Sequence, residues 1–274
     1  MKLSFTSLGC PAWDLQKMLS AAKNLGYDGI DFRGYLAEVD LYKCPEFTSG
    51  IKDTLGQIER CGLEVSAVSS SVRAFSKNDD DRIKCLSEFK EYVRIADGLN
   101  SPYIRIFGGG IGDTPFEKAL DVATENIKAM VKALSGAKAN IIIETHDEWT
   151  DSSRLKALVD NVASERLLVL WDVHHPFRMF GETPAQTWNN LGDKVRYTHF
   201  KDSMRTDGNN FKYALLGKGD VPLREIVSCL RKGGYTGYLT LEWEKRWHAD
   251  LEEPEIVFPQ YVEEMRKILK SVQS

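Results

Sequence analysis

The 274-residue chain is 42% hydrophobic and 28% charged, ordinary for a globular protein and too apolar for a disordered one. A formal net charge of −4, with basic residues scattered along the chain, argues against a nucleic-acid surface, which needs a basic stripe to neutralise phosphates. Five cysteines, odd in number and without a CxxC pair, argue against a disulfide framework or a thiolate zinc site and fit a reducing cytoplasm. The N-terminus MKLSFTSLGCPAW reads as a strand rather than a signal peptide, and no apolar run approaches the ~20 residues of a membrane span.

In chain order, residues 3–8 read as a first strand. A helix follows in which Leu15, Met18, Leu19, Ala22 and Leu25 share one face and Gly26 marks the stop. Further strands are expected at 29–33, 64–70, 103–107, 140–145, 167–172, 195–200 and 238–243. Long helices are expected at 79–100 and 116–136, a short one near 183–191, and another that Pro222 opens and Gly233–Gly234 ends. Eight strand–helix alternations imply parallel strands, because each return must cross over through a helix. A (β/α)8 TIM barrel takes about 250 residues, so the expected fold is α/β, with one such barrel domain over residues 1–274. The segments 25–29 (LGYDG) and 233–237 (GGYTG) echo one another as the same helix-to-strand turn. A doubly wound sheet is the competitor. Its phosphate-binding fingerprint is approached by the glycines of 108–112, but Asp113 stands where the third glycine belongs.

In such a barrel, residues at the C-terminal strand ends converge on one site. Four of these ends carry ligand-type side chains, in the segments IIIETH (141–146), LWDVHHP (170–176), YTHFKD (197–202) and LTLEWE (239–244). A carboxylate or imidazole at the end of a buried strand costs several kcal/mol unless paired or bound to a cation. Glu144, Asp172 and Glu242 facing one another would repel strongly, and a divalent ion removes that conflict. Three oxygens and one imidazole nitrogen suit Mn²⁺ first, with Mg²⁺, Co²⁺ or Zn²⁺ as alternatives. His174 reads as structural, in a turn toward Pro176. Glu244 and Lys201 share strand parity with Glu242 and His199, so they face either the mouth or a solvated rim. Trp13, Trp149 and Trp247 are candidates to wall a pocket or to pack beneath loops. Arg33 and Arg105 are candidates for an anion site or for structural ion pairs, and Lys245 and Arg246 are further candidates for a substrate phosphate.

These four segments, in this order and spacing, resemble the sugar phosphate isomerase/epimerase (xylose isomerase-like) barrel superfamily, and within it the single-metal ketose 3-epimerase and inosose isomerase-type branch. The likeness runs along essentially the whole chain and is strongest from Ile141 to Trp247, including the stretch LLGKGDVPLREIVSCLRKGGYTGYLTLEWE. It implies Glu144, Asp172, His199 and Glu242 as metal ligands. It also implies Glu144 and Glu242 as the proton-transferring pair, and His175 and Arg205 as contacts to substrate oxygens. His146, Trp13 and Arg33 complete the expected substrate-binding set. The superfamily's endonuclease IV-like branch binds three zinc ions and uses an Asp-x-His after strand seven; residues 205–210 offer none, so one metal site is expected and the nuclease reading falls away. The implied activity is isomerisation or epimerisation of a sugar, sugar phosphate or keto-polyol, by proton transfer through a metal-stabilised enediolate. A keto-inositol-type dehydratase or a catalytically silent sugar-binding barrel are the alternatives. The expected partner is that small molecule, with no nucleic acid and no membrane; homo-oligomerisation is left open.

Overall fold

The computed structural model describes residues 1–207 and 210–272. Gly208 and Asn209, within the segment read as lacking an Asp-x-His, lie outside the described residues, as do the last two positions of the expected 1–274 domain. Strands β1 (Lys2–Thr6), β2 (Gly29–Phe32), β3 (Glu64–Arg73), β4 (Tyr103–Phe107), β5 (Asn140–Glu144), β6 (Leu167–Asp172) and β7 (Val195–Phe200) follow one another. After a small antiparallel hairpin, β8 (Asp202–Arg205) with β9 (Phe211–Ala214), comes β10 (Tyr238–Leu241). β10 pairs with both β7 and β1, which closes an eight-stranded parallel barrel.

The strands read as near-continuous apolar runs because both of their faces are covered, as in β6, where all of LLVLWD is buried. Outward residues pack beneath α1 (Leu15–Leu25), α2 (Ile51–Arg60), α3 (Asp79–Gly98), α4 (Phe116–Ala133) and α5 (Ser152–Val162), then α6 (His174–Phe180), α7 (Pro184–Leu191), α8 (Leu223–Lys232) and α9 (Pro254–Ser271). Local chemistry sets many of the helix starts. Asp14, Asn78 and Asp151 accept main-chain N–H groups of the first turns of α1, α3 and α5, and Thr183 with Gln186 forms a reciprocal capping box on α7.

Some boundaries differ from the sequence reading. The first strand stops at Thr6, where Ser7–Gly9 turns into a 3-10 helix, and β3 runs on to Arg73. The His174–Pro176 stretch, expected as a turn, opens helix α6: Pro176 falls in the first turn, where its missing N–H costs nothing. Hairpin β8–β9 was not anticipated. The first glycine of 108–112 has a packing reason. A side chain at Gly108 would collide with the Trp149 ring, whose Nε1 donates to the Gly109 carbonyl at 2.9 Å. The five cysteines are free, and among the described residues no helix is long and apolar enough to cross a membrane.

The two echoed turns are alike in structure, with Gly26 and Gly234 both left-handed, at φ of 79° and 74°. At Gly234 the space is open, whereas a β-carbon on Gly233 would lie 2.0 Å from Trp188. We therefore expect Gly234→Ala to cost about 1 kcal/mol, the left-handed penalty alone. Gly233→Ala should cost more, on the order of 2–3 kcal/mol, through overpacking. Urea unfolding of both variants checks the order.

Candidate active site

Glu144 ends β5 and Asp172 ends β6; His199 is the penultimate residue of β7, and Glu242 follows β10 directly. Strand alternation places them on the same face as Ile142, Leu170, Tyr197 and Tyr238, which pack with Ala67 and Leu168 as a small apolar cluster distinct from the main core. The four polar groups therefore cap an apolar plug inside the barrel. One ligand atom from each lies within 4.8 Å of the others, and all four residues are buried.

Buried carboxylates so close together need compensation, and the structure supplies it unevenly. Lys201, fully buried, lies 2.8 Å from Asp172 Oδ2, 2.5 Å from Glu242 Oε2 and 2.9 Å from Glu244 Oε1. Arg105 Nε lies 3.3 Å from Glu144 Oε2, with its Nη1 donating to the Ser70 carbonyl at 3.0 Å. Burial pushes the Glu144 carboxyl up, and Arg105 only partly offsets this. Burial also acts on Glu242, but there Lys201 and His199 outweigh it and hold the carboxyl well below its usual range. Environment thus separates the two glutamates, the arrangement that lets one carboxyl hold a proton while another gives one up.

His199 is oriented from behind. Its Nε2 donates to Asp31 Oδ2 at 3.0 Å, leaving Nδ1 directed at the cluster, 3.1 Å from Glu242 Oε1 and 3.9 Å from Glu144 Oε1. Burial disfavours the charged imidazole, but Glu242 and Asp31 reverse that and hold its pKa up at about 10. Asp172 is held in the same spirit. Its Oδ1 accepts the main-chain N–H groups of His174 and His175 at the start of α6, so Oδ2 turns inward. Glu144 Oε2, Asp172 Oδ2 and His199 Nδ1 are all buried and have no well-formed hydrogen bond beyond their ion-pair contacts with Arg105, Lys201 and Glu242. Three such atoms converging, two oxygens and one imidazole nitrogen, fit a divalent cation by donor type as well as by place. Asp172, His174 and His175 form a second group of ligand atoms within 4.8 Å, but it shares Asp172 with the first.

The other expected residues are spread around this cluster. His175 adjoins it: its Nδ1 donates to the Thr145 carbonyl at 2.9 Å, which leaves Nε2 as an acceptor, and burial keeps the ring neutral. The His146 ring stands 5.1 Å from that of His175 and half-exposed. His174, neutral because it is buried, bonds Ser203 Oγ at 2.8 Å. Arg205 is exposed on β8, its main-chain N–H bonded to Asp220. Arg33 is buried at the end of β2, bonded to Ser71 Oγ. Trp13 is not drawn to the cluster; its ring packs edge-on against Phe258 with Lys17 over its face. Trp149 is buried and Trp247 half-exposed.

Three participants were underweighted or absent in the sequence reading. Lys201 is no solvated rim residue. Asp31 was missed, although an acid at an inward position of a barrel strand was a usable signal. Asp202 accepts from Gly217 and Gly219 at 2.8 and 2.9 Å and so ties down the loop before α8; a side chain at Gly219 would collide with it. That contact explains Gly219 of the LGKGD stretch, and a left-handed backbone at φ 78° explains Gly217.

Comparison with known proteins agrees with the fold. The chain is 23% identical over 280 residues to fructoselysine 3-epimerase of Shigella flexneri, covering 98% of both proteins. Its structure superposes on D-psicose 3-epimerase from Clostridium cellulolyticum H10, described with D-tagatose, with a TM-score of 0.80 at 12% identity, covering 100% of both chains. It superposes equally well, at a TM-score of 0.80 and 15% identity, on the IOLI protein described with a binding zinc atom, covering 99% of this chain and 98% of that one. Residues 19–270 match the family described as xylose isomerase-like TIM barrel, and the chain belongs to that family.

Proposed function

We propose that this protein is a divalent-metal-dependent isomerase or epimerase of a sugar or sugar derivative, working by proton transfer at a carbon beside a carbonyl. The observation that carries this reading is the buried convergence of Glu144, Asp172, His199 and Glu242, with one ligand atom of each within 4.8 Å of the others. The similarity to fructoselysine 3-epimerase and D-psicose 3-epimerase supports the reaction class. One divalent ion held by these four residues, Mn²⁺ first with Mg²⁺, Co²⁺ or Zn²⁺ as alternatives, would supply Lewis acidity to the substrate carbonyl.

The protein's own groups handle the proton. Glu144 and Glu242 come from β5 and β10, the two ends of the arc β5–β6–β7–β10, and so reach the substrate from different sides. One removes the proton from carbon and the other returns one; epimerisation needs both, and each positioned group typically contributes ~10²–10⁴-fold. Lys201 and Arg105 set the unequal proton affinities of the pair. Asp31 keeps the His199 nitrogen aimed inward, and His175 Nε2 and Arg205 serve the substrate's hydroxyl oxygens.

Mn²⁺ should bind at about one ion per chain and raise the melting temperature, because a ligand held only by the folded state stabilises it. Glu242→Gln and His199→Ala should lose that shift, and Asp31→Asn should weaken the affinity by about 10–100-fold through the misoriented imidazole. Elemental analysis showing three ions per chain, or no thermal response to any divalent ion, would overturn the single-ion reading.

A hydrogen carried by a carboxyl exchanges with water, so turnover in D₂O should place deuterium at the reacting carbon. Glu144→Gln and Glu242→Gln should each abolish this incorporation. By contrast, His175→Ala and Arg205→Ala should reduce substrate use while leaving the Mn²⁺ melting shift intact. Retention of the original hydrogen over many turnovers, followed by NMR, would point instead to a hydride shift.

A further inference from the structure

Among the described residues three arginines are buried, Arg33, Arg105 and Arg178. Arg105 faces Glu144 at 3.3 Å, and Arg178 is ion-paired with Asp220. Arg33, only 6% exposed, has no carboxylate within ion-pair distance among the described residues. Its guanidinium donates to Ser71 Oγ at 2.9 Å and to the Val39 carbonyl at 3.4 Å. Those neutral acceptors occupy part of a five-donor fork and bring no negative charge. A guanidinium does not escape by losing its proton, so its burial calls for a counter-charge from elsewhere.

Its place in the barrel says where that charge arrives. Arg33 lies two residues beyond Asp31, whose side chain meets His199, so strand alternation turns it to the same inward side, one layer nearer the mouth. Arg105 donates to the carbonyl of Ser70 while Arg33 donates to the hydroxyl of Ser71, which brings two guanidinium groups to adjacent residues of β3. Of the pair, only Arg105 has a carboxylate, and that carboxylate is Glu144 of the metal cluster. Burial, and then the like charge of Arg105, lower the Arg33 pKa to about 10; Glu144 and Glu242 act on it only from beyond ion-pair distance and do not offset this. The mouth therefore presents a desolvated positive charge beside the reaction centre.

We propose that Arg33 receives an anionic group of the substrate, a terminal phosphate or carboxylate, so that the protein acts on acidic sugars. This rests on the isomerase or epimerase reading for the identity of the ligand, but the anion pocket is tested separately from the chemistry. With Mn²⁺-loaded protein, calorimetry compares D-fructose with its C6-charged counterparts, D-fructose 6-phosphate and D-fructuronate, and inorganic phosphate serves as the anion alone. Hydrogen exchange of each ketose in D₂O is followed in parallel. At least one charged ketose should bind about tenfold more tightly than D-fructose or better. Which one does so separates phosphate from carboxylate. Arg33→Met should erase the preference, along with any Arg33-dependent binding of inorganic phosphate, and Arg33→Lys should retain part of it. Melting curves and Mn²⁺ titrations should show both variants folded and loaded like the wild type.

Equal affinity for neutral and charged ketoses, a preference that survives in Arg33→Met, or no binding of any probe overturns the anion pocket. Exchange of D-fructose without a charge preference overturns the pocket alone and leaves the isomerase reading standing. Anion binding that depends on Arg33, with no hydrogen exchange in any bound ketose, does the reverse.

Discussion

Glu144, Asp172 and Glu242 face one another above an apolar plug, with almost no water to screen their repulsion. An isolated buried carboxylate costs several kcal/mol, and three together would unfold the strand ends or hold protons unless positive charge is brought in. Much of the surrounding structure answers that demand. Lys201 is drawn fully inside, where its aliphatic stem packs in the barrel and its ammonium meets three carboxylates. Arg105 comes from β4 to Glu144, and Asp31 turns the inward nitrogen of His199 toward the cluster. A divalent ion bound among these groups would complete the same compensation.

The compensation is uneven, and the unevenness is useful. Glu242 sits between Lys201 and His199 and is held ionised, while for Glu144 burial wins over its single arginine. Two carboxyls with unlike proton affinities at the two ends of one arc of strands are what a two-sided proton transfer requires. The geometry is rigid because its supports belong to the regular structure. Asp172 is fixed by the first turn of α6, His175 by the Thr145 carbonyl at the end of β5, and the loop before α8 by Asp202.

Much of this was legible in the sequence, for a physical reason. A barrel strand buried on both faces leaves an apolar run, so a Glu, Asp or His at its end stands out, and alternation with helices fixes which end faces the site. The eight strands, the echoed glycine turns at Gly26 and Gly234, and the four-residue cluster follow from that pattern. Helix α6 did not, because a His pair before a proline looks like a turn until Asp172 is known to cap it from the preceding strand. Hairpin β8–β9 is too short and too exposed to leave a periodic signal.

Local pattern therefore determined the barrel, its direction and the carboxylates at its strand ends, since each depends on residues a few positions apart, while the choice of His199 among the histidines came from the family resemblance. Tertiary structure alone decided the fate of the cations and of the second carboxylate layer. Lys201 after a strand reads as either a mouth or a rim residue, because a lone lysine keeps its ammonium in water; only three carboxylates from two other segments of the chain make its burial favourable. Asp31 becomes a support because His199, 168 residues away, closes onto it. Arg33 and Arg105 look equivalent as arginines of barrel strands, yet Arg105 meets Glu144 on the neighbouring strand and Arg33 bonds only neutral oxygens. Charge pairing over such separations is set by closure of the barrel, which no window of sequence contains.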